Sequence, residues 1–388
     1  MEIPKIDMKN IDKKYIKFGL ISIGIIIAII VILVLVRVFI TSKLSYSELE
    51  SKMRDVAISY YKNHEDLLPK TEDTEVTLTS EKMVNDELMK PFEKYIKNDS
   101  VTCSGKVIVT NNNGNYLYTP YLDCGKEYKT TTLVETLIDN KNIVDNGDGL
   151  YNMGNYYLYR GENVNNYIEF AGQIWRILRV NDDGTLRILQ TSNTVYEVDK
   201  EKTEKFVFDD RYNQETKRHS GFNDFNVSRI KDSLNSIYNS DIFNNDEKSY
   251  IISKNLCIGA RTAEDTDNSG AVECGKITEN KYPFGLLQVN EFLMASIDSN
   301  CHLYDDGQCT NYNYLANITG TYWSITPYVS TSSKTCKEFY IAMGVYSSET
   351  DTEKAIRLVT NLSSHSLYSS GDGSEEHPYV IKYLSTKK

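Results

Sequence analysis

Phe18 to Val36, FGLISIGIIIAIIVILVLV, is an uncharged run of 19 residues whose apolar character resumes after Arg37 as far as Ile40. At about 1.5 Å per residue such a run reaches roughly 30 Å, which predicts a transmembrane helix over 18–40. Beyond it the pattern shortens. Leu49, Met53, Val56 and Tyr60 recur at helical spacing and predict one buried stripe, ended near Leu67 to Pro69. Val76 and Leu78 alternate as in a short strand; Met83, Val84 and Leu88 then give a helix its apolar side, with Thr79 or Ser80 as cap and Pro91 at its end. Val107 and Val109 face Tyr116 and Tyr118 across Asn113-Gly114, whose tolerance of positive φ predicts a hairpin.

A second set of patterns follows the DNGDG break at 145–149. YNMGNYYLYRG and NNYIEFAGQIWRILRV read as strands, and IWRILRVNDDGTLRILQ (174–190) reads as two strands joined at Asn181 to Gly184, in a register the sequence leaves open. Trp175 and the aliphatic residues supply its core face, while Arg176, Arg179 and Arg187 fall on the other side or the rim. Packing and solvation is the favoured reading of those arginines, with an anion- or ligand-contacting surface as the alternative. Val227, Ile230, Leu234 and Ile237 predict a helix capped by Asn226 or Ser228. Further strands are expected in GTYWSITPYV, YIAMGVYS, KAIRLVTNL and the tail. The sum is α+β: a cytoplasmic tail (1–17), a transmembrane helix (18–40), a small membrane-proximal α+β module (41–130), a linker (131–148) and a larger mixed α+β domain (149–388).

Charge sets the expected topology. Lys5, Lys9, Lys13, Lys14 and Lys17 precede the apolar run, which favours a cytoplasmic N-terminus and an extracellular remainder. A net charge of -11 argues against nucleic acid as a partner, since such proteins carry a basic footprint. All seven cysteines lie beyond the run, where disulfides persist. Local pairing gives Cys103–Cys124, Cys257–Cys274 and Cys301–Cys309 and leaves Cys336 over, although spacing alone does not fix the connectivity. Neither C-x-x-C pairs nor histidines at ligand spacing suggest zinc.

Few residues point to chemistry. No G-x-S-x-G elbow accompanies the five scattered histidines, which disfavours acyl transfer. The acid pairs Asp182-Asp183 and Asp305-Asp306 sit in turn-like stretches, where aspartate serves the turn. Asp265, Asp267, Ser269 and Glu273 follow the opening of a calcium loop, with Gly270 at the sixth position, but Lys276 stands where the bidentate glutamate belongs. Calcium is therefore the one cofactor considered, against a solvated disulfide loop. Tyr322, Trp323, Tyr328 and Tyr304 are the ligand-contact candidates, because rings stack on sugars and anchor interfaces; Trp323 reads equally as core.

The apolar run, the helix from Leu44 to Asn63 and NGNYLYTPYLDCG together resemble a pilin-like membrane-proximal module of surface proteins in low-GC Gram-positive bacteria. The prepilin Gly-Phe-Thr-Leu-Ile-Glu motif is absent, so the resemblance implies neither processing nor pilus assembly. GQIWRILRVNDDGTLRILQ, FNVSRIKDSLNSIYNSDIF, GLLQVNEFLMAS, YWSITPYV and AIRLV with GSEEHPYVI resemble, in that order, an uncharacterised extracellular domain with a lectin-like or formylglycine-generating-enzyme-like architecture. That likeness implies carbohydrate or protein binding and carries no catalytic residues. The resulting expectation is a non-enzymatic, membrane-anchored cell-surface protein for adhesion or recognition of a glycan, wall polymer or protein. Its rivals are a structural envelope component and a cell-wall-polymer hydrolase.

Overall fold

The computed structural model describes residues 23, 25–31, 43–72, 74–97, 100–192, 194–198, 201–329 and 336–383. Ser45 opens the helix Tyr46–Lys62: its hydroxyl accepts from the Glu48 amide, and the Glu48 carboxylate accepts from the Ser45 amide at 2.8 Å. Two amides with no helical partner are satisfied at once. Leu49, Met53 and Ala57 are fully buried and Tyr60 joins them, while Val56 is half-buried. Truncating a leucine in such a stripe to alanine costs about 2–5 kcal/mol.

That stripe packs on an antiparallel sheet of β1 (Glu75–Thr79), β2 (Ser104–Asn112) and β3 (Asn115–Asp123), in that order. Asn113 and Gly114 both adopt positive φ, 54° and 80°, the twist-matched geometry of a two-residue hairpin. Cys103 and Cys124 are bonded just outside the strand ends. By the chain-entropy account, closing a loop of this size stabilises by about 3 kcal/mol.

A nine-stranded sheet dominates the rest. It includes β4 (Gly149–Asn152), β5 (Tyr157–Arg160), β6 (Tyr167–Phe170), β7 (Gln173–Val180) and β8 (Leu186–Gln190). Its main path runs Ile251–Ile252, Val359–Leu362, β8, β7, β6, Tyr379–Ile381 and Tyr368–Ser370, with β5 on the far end of β7 and β4 beyond it. Tyr379–Ile381 lies parallel to β6, so the end of the chain closes against its middle. The β7–β8 hairpin is a core element: Trp175, Ile177 and Ile188 are fully buried and every residue of β8 is buried. A bulge between Ile177 and Arg179 settles its register, bringing Arg176 opposite Leu189 but Arg179 opposite Arg187.

Ser228 caps the helix Arg229–Asn239, which buries Ile230, Leu234 and Ile237. Val227 fits the same period but stands in the preceding 3₁₀ turn and is exposed. A third sheet pairs Tyr322–Tyr328, Lys337–Ile341 and Val345–Glu349. Residues 131–148 contain the helix Leu133–Leu137, with Leu133, Val134 and Leu137 buried. The seam between the two halves is polar. Buried Glu50 accepts from Lys382 at 2.7 Å and from Tyr128 at 2.7 Å, and His365 bridges the Tyr121 hydroxyl at 2.6 Å and the Glu75 carboxylate at 3.3 Å.

The membrane expectation requires correction. Among the described residues no helix is long and apolar enough to cross a membrane. A crossing takes about 20 apolar residues, whereas the described helical stretch of the apolar run is 25–31, roughly 10 Å long. The rest of 18–40, apart from Ile23, and the tail 1–17 lie outside the described residues. The α+β class stands in the described part, but the transmembrane helix, the membrane-anchored reading, the membrane as a partner, and the single-pass topology with cytoplasmic N-terminus and extracellular remainder have no support in it.

Candidate functional site

The hairpin β6–β7 turns at Ala171 and Gly172, both at positive φ (53° and 67°). That turn sets Tyr167 directly opposite Arg176, and the Arg176 guanidinium lies 3.8 Å from the centre of the Tyr167 ring. Tyr314 covers it from another side at 4.8 Å. Nε donates to the Asn166 side chain and Nη2 to the Val164 carbonyl at 3.3 Å, so the group is held in plane as well as stacked. Cation–π contacts of this kind gain strength as water is removed, and Arg176 is buried. Burial also lowers the guanidinium's pKa below its ordinary value.

This stack borders a cleft of about 630 Å³, within the range that holds small ligands. Around it stand Tyr167, Gln173, Arg176, Tyr314, Asn317 and Glu375. Each comes from a different local device. Gln173 begins β7 and accepts from Gln190, which also donates to Thr194 at 2.7 Å. Asn313 fixes the segment bearing Tyr314 and Asn317, donating to the carbonyls of Phe292 at 2.9 Å and Cys309 at 2.8 Å; Cys309 is bonded to Cys301. Glu375 sits in the loop before Tyr379–Ile381, tied to β6 where the Tyr167 amide donates to Gly373 at 2.8 Å. It is the sole carboxylate among the cleft's described residues.

The other hairpin arginines take a different course. Arg187 grips buried Glu291 with two nitrogens, one at 3.0 Å, and Arg179 stands 3.9 Å from the same carboxylate. Burial raises the Glu291 pKa, but Arg187 and then Arg179 outweigh it and hold the group below the usual range.

Tyr322 and Trp323 are fully buried, and the Trp323 indole donates to the Phe206 carbonyl at 2.7 Å. Tyr304 and Tyr328 come together around Phe339, ring centres 4.8 and 5.2 Å from it, half-buried and apart from the stack on Arg176. The four aromatic candidates therefore do not share one groove. Around the loop at 265–273 the structure places a guanidinium at the centre: Arg261 donates to the carbonyls of Asp265 at 3.0 Å and Asp267 at 2.7 Å, and to Glu273 at 3.0 and 3.2 Å. Asp265 caps Thr262, and the Asp267 side chain accepts from the Ser269 amide. Among the described residues no three His, Cys, Asp or Glu side chains converge as metal ligands.

All three local cysteine pairs are disulfides, and Cys336 is free. Of the acid pairs, Asp183 accepts from Thr185 and Lys254, and Asp306 accepts from the amides of His302 and Leu303 at 3.0 and 2.8 Å. Both serve turns. The sequence did single out Arg176, though it missed Tyr167, Gln173, Tyr314, Asn317 and Glu375. The available signal was Ala171-Gly172, a turn that places Tyr167 across from Arg176.

No family model matches this chain, and neither a curated protein nor a solved structure matches it. The expected likeness to a pilin-like module and to a lectin-like or formylglycine-generating-enzyme-like domain is thereby corrected. A helix on a three-stranded sheet is present, but nothing ties it to that family.

Proposed function

We propose that this chain is a non-catalytic recognition protein that binds a saccharide in the Arg176 cleft. The carrying observation is the cleft's inventory: two tyrosine rings clamping a guanidinium, two amide side chains and a single carboxylate around about 630 Å³. Sugars offer C–H faces to rings and rows of hydroxyls to planar amide and guanidinium groups, and this set supplies both. Hydrolysis of a glycosidic bond uses two carboxyl groups flanking it. The cleft brings one.

Glu338 does not supply the second acid. It is fully buried with neither oxygen hydrogen-bonded, and burial, followed by Asp224 and Cys336, pushes it well above the usual carboxylate range. A fully buried acid reaches no bound polymer. The test is a glycan array probed with the full chain and with the Gln173→Ala, Asn317→Ala double variant. Binding that falls at least about tenfold in the variant supports the reading, as expected when two hydrogen-bonding groups are lost from a bound ligand. An array without hits, or hits indifferent to the variant, would overturn it.

A further inference from the structure

Four arginines are buried among the described residues: Arg176, Arg187, Arg261 and Arg357. Arg187 is paired with Glu291 and Arg261 with Glu273. Arg176 and Arg357 have no carboxylate oxygen within 4.0 Å among the described residues. Arginine cannot shed its proton as a buried lysine or histidine can, so each of these two charges is desolvated without a carboxylate paired to it. Such an arrangement is unfavourable enough to ask what it serves.

Both guanidinium groups connect to the same cleft, Arg176 directly and Arg357 from behind its lining. Arg176 borders the cleft. Arg357 donates Nη2 to the Thr319 carbonyl at 2.5 Å, and Thr319 also borders it. The remaining Arg357 nitrogens, Nε and Nη1, are buried without hydrogen-bond partners, as is the hydroxyl of Tyr322, whose ring centre lies 5.0 Å from the guanidinium. Against these two cations the cleft's described residues set one carboxylate, exposed Glu375. In a chain of net charge -11 this lining is locally positive.

We infer that the saccharide taken by this cleft carries an acidic group, a carboxylate, sulfate or phosphate ester, that seats on Arg176 within the field of Arg357. The inference rests on the saccharide reading and adds the ligand's charge. Arg176 is suited to the task because Nε and one Nη2 hydrogen are committed to Asn166 and Val164 while the rings fix the plane. The edge that remains is a preorganised fork for two oxyanion oxygens. Low dielectric around buried cations strengthens their pull on such a group.

The experiment uses inorganic sulfate as the probe and the full chain, with sodium chloride at matched ionic strength as the reference. A saturable rise of the thermal midpoint with sulfate is expected, as for any ligand that binds only the folded state. Arg176→Gln abolishes the saturable part, whereas Lys126→Gln, an equal charge change on an exposed residue, preserves it. Glu375→Gln removes the one opposing carboxylate from an exposed position and lowers the half-saturating sulfate concentration about threefold. A non-saturable rise shared by wild type and Arg176→Gln is general salt exclusion, an adventitious effect, and overturns the inference. Should Arg176→Gln fail to fold, Glu375→Gln decides alone, and an unchanged half-saturation point overturns it too. Saturable sulfate binding without any array hit keeps this inference and removes the saccharide reading; neutral glycans bound without competition from sulfate do the reverse.

Discussion

Arg261 and Arg176 are both buried guanidinium groups on the larger sheet domain, and the protein treats them in opposite ways. Around Arg261 the chain between Cys257 and Cys274 wraps carbonyls, the Asn268 side chain and a carboxylate onto five donor positions, and Glu273 returns the charge from full burial. Glu273 in turn accepts from the Asn290 amide, so the pair also pins the helix Val289–Ala295. Arg176 receives two neutral acceptors and two ring faces, with no carboxylate. A closed site of the first kind holds structure together. The second kind keeps an unbalanced charge beside open space, the arrangement expected of a group that meets its partner from solution.

The largest effect falls on the closed site. Arg261→Met strands a fully buried Glu273 carboxylate, and removing one member of a buried pair costs about 3–5 kcal/mol. Urea denaturation followed by fluorescence reads this directly as a shift of the midpoint at unchanged slope. A loss below about 1 kcal/mol would mean that water reaches the loop and that the two arginines differ less than their surroundings suggest.

Only part of this contrast was legible in the sequence. Local periods carried far: Leu49 and Met53, then Ile230, Leu234 and Ile237, are buried at the spacings that predicted them, and three short-range cysteine pairs closed as neighbours. Val227 shows where a period misleads, because the helix begins two residues later at Arg229 and leaves it outside. The loop at 265–273 shows a second limit. Oxygen-rich spacing describes a cation's surroundings without saying which cation, and Arg261, four residues upstream of Asp265, supplies it from the chain itself. The cleft was illegible for a topological reason. Tyr167 and Arg176 meet through a local hairpin, but Glu375 arrives only because Tyr379–Ile381 pairs in parallel with β6 about 200 residues away in sequence. The apolar run at 18–40 carried the whole-chain reading furthest from what is described, since among the described residues no helix is long and apolar enough to cross a membrane.

A smaller effect comes from a half-buried group that can do what arginine cannot. His365 sits at the seam, with the Tyr121 hydroxyl on Nδ1 and the Glu75 carboxylate near Nε2; Lys106 and Glu135 also face it. Burial lowers its pKa below the ordinary 6.5, although Glu75 opposes the shift. The folded chain therefore holds His365 neutral where the unfolded chain would protonate it. Between the two pKa values the unfolded state binds more protons, so stability is fully present above 6.5 and declines as pH falls from there toward the folded value. Denaturation midpoints between about pH 7.5 and 5 should fall in wild type and flatten in His365→Gln. A wild-type profile that rises on acidification would show that Glu75 dominates and that the seam tightens when His365 is charged.

The smallest change should follow Arg176→Met, and that near-neutrality is what separates the two arginines most sharply. Methionine keeps most of the length and the contact with the Tyr167 and Tyr314 rings while removing the charge. Lost are two hydrogen bonds and the cation–π attraction; regained is the cost of holding an unpaired cation out of water. No buried carboxylate is stranded, because none is paired with Arg176 among the described residues. The net stability change should stay within about 1 kcal/mol of wild type in urea, against the several expected for Arg261→Met. If Arg176→Met costs as much as Arg261→Met, the guanidinium is a structural keystone of the β6–β7 hairpin. The open cleft beside it would then be a by-product of packing rather than a place kept for a ligand.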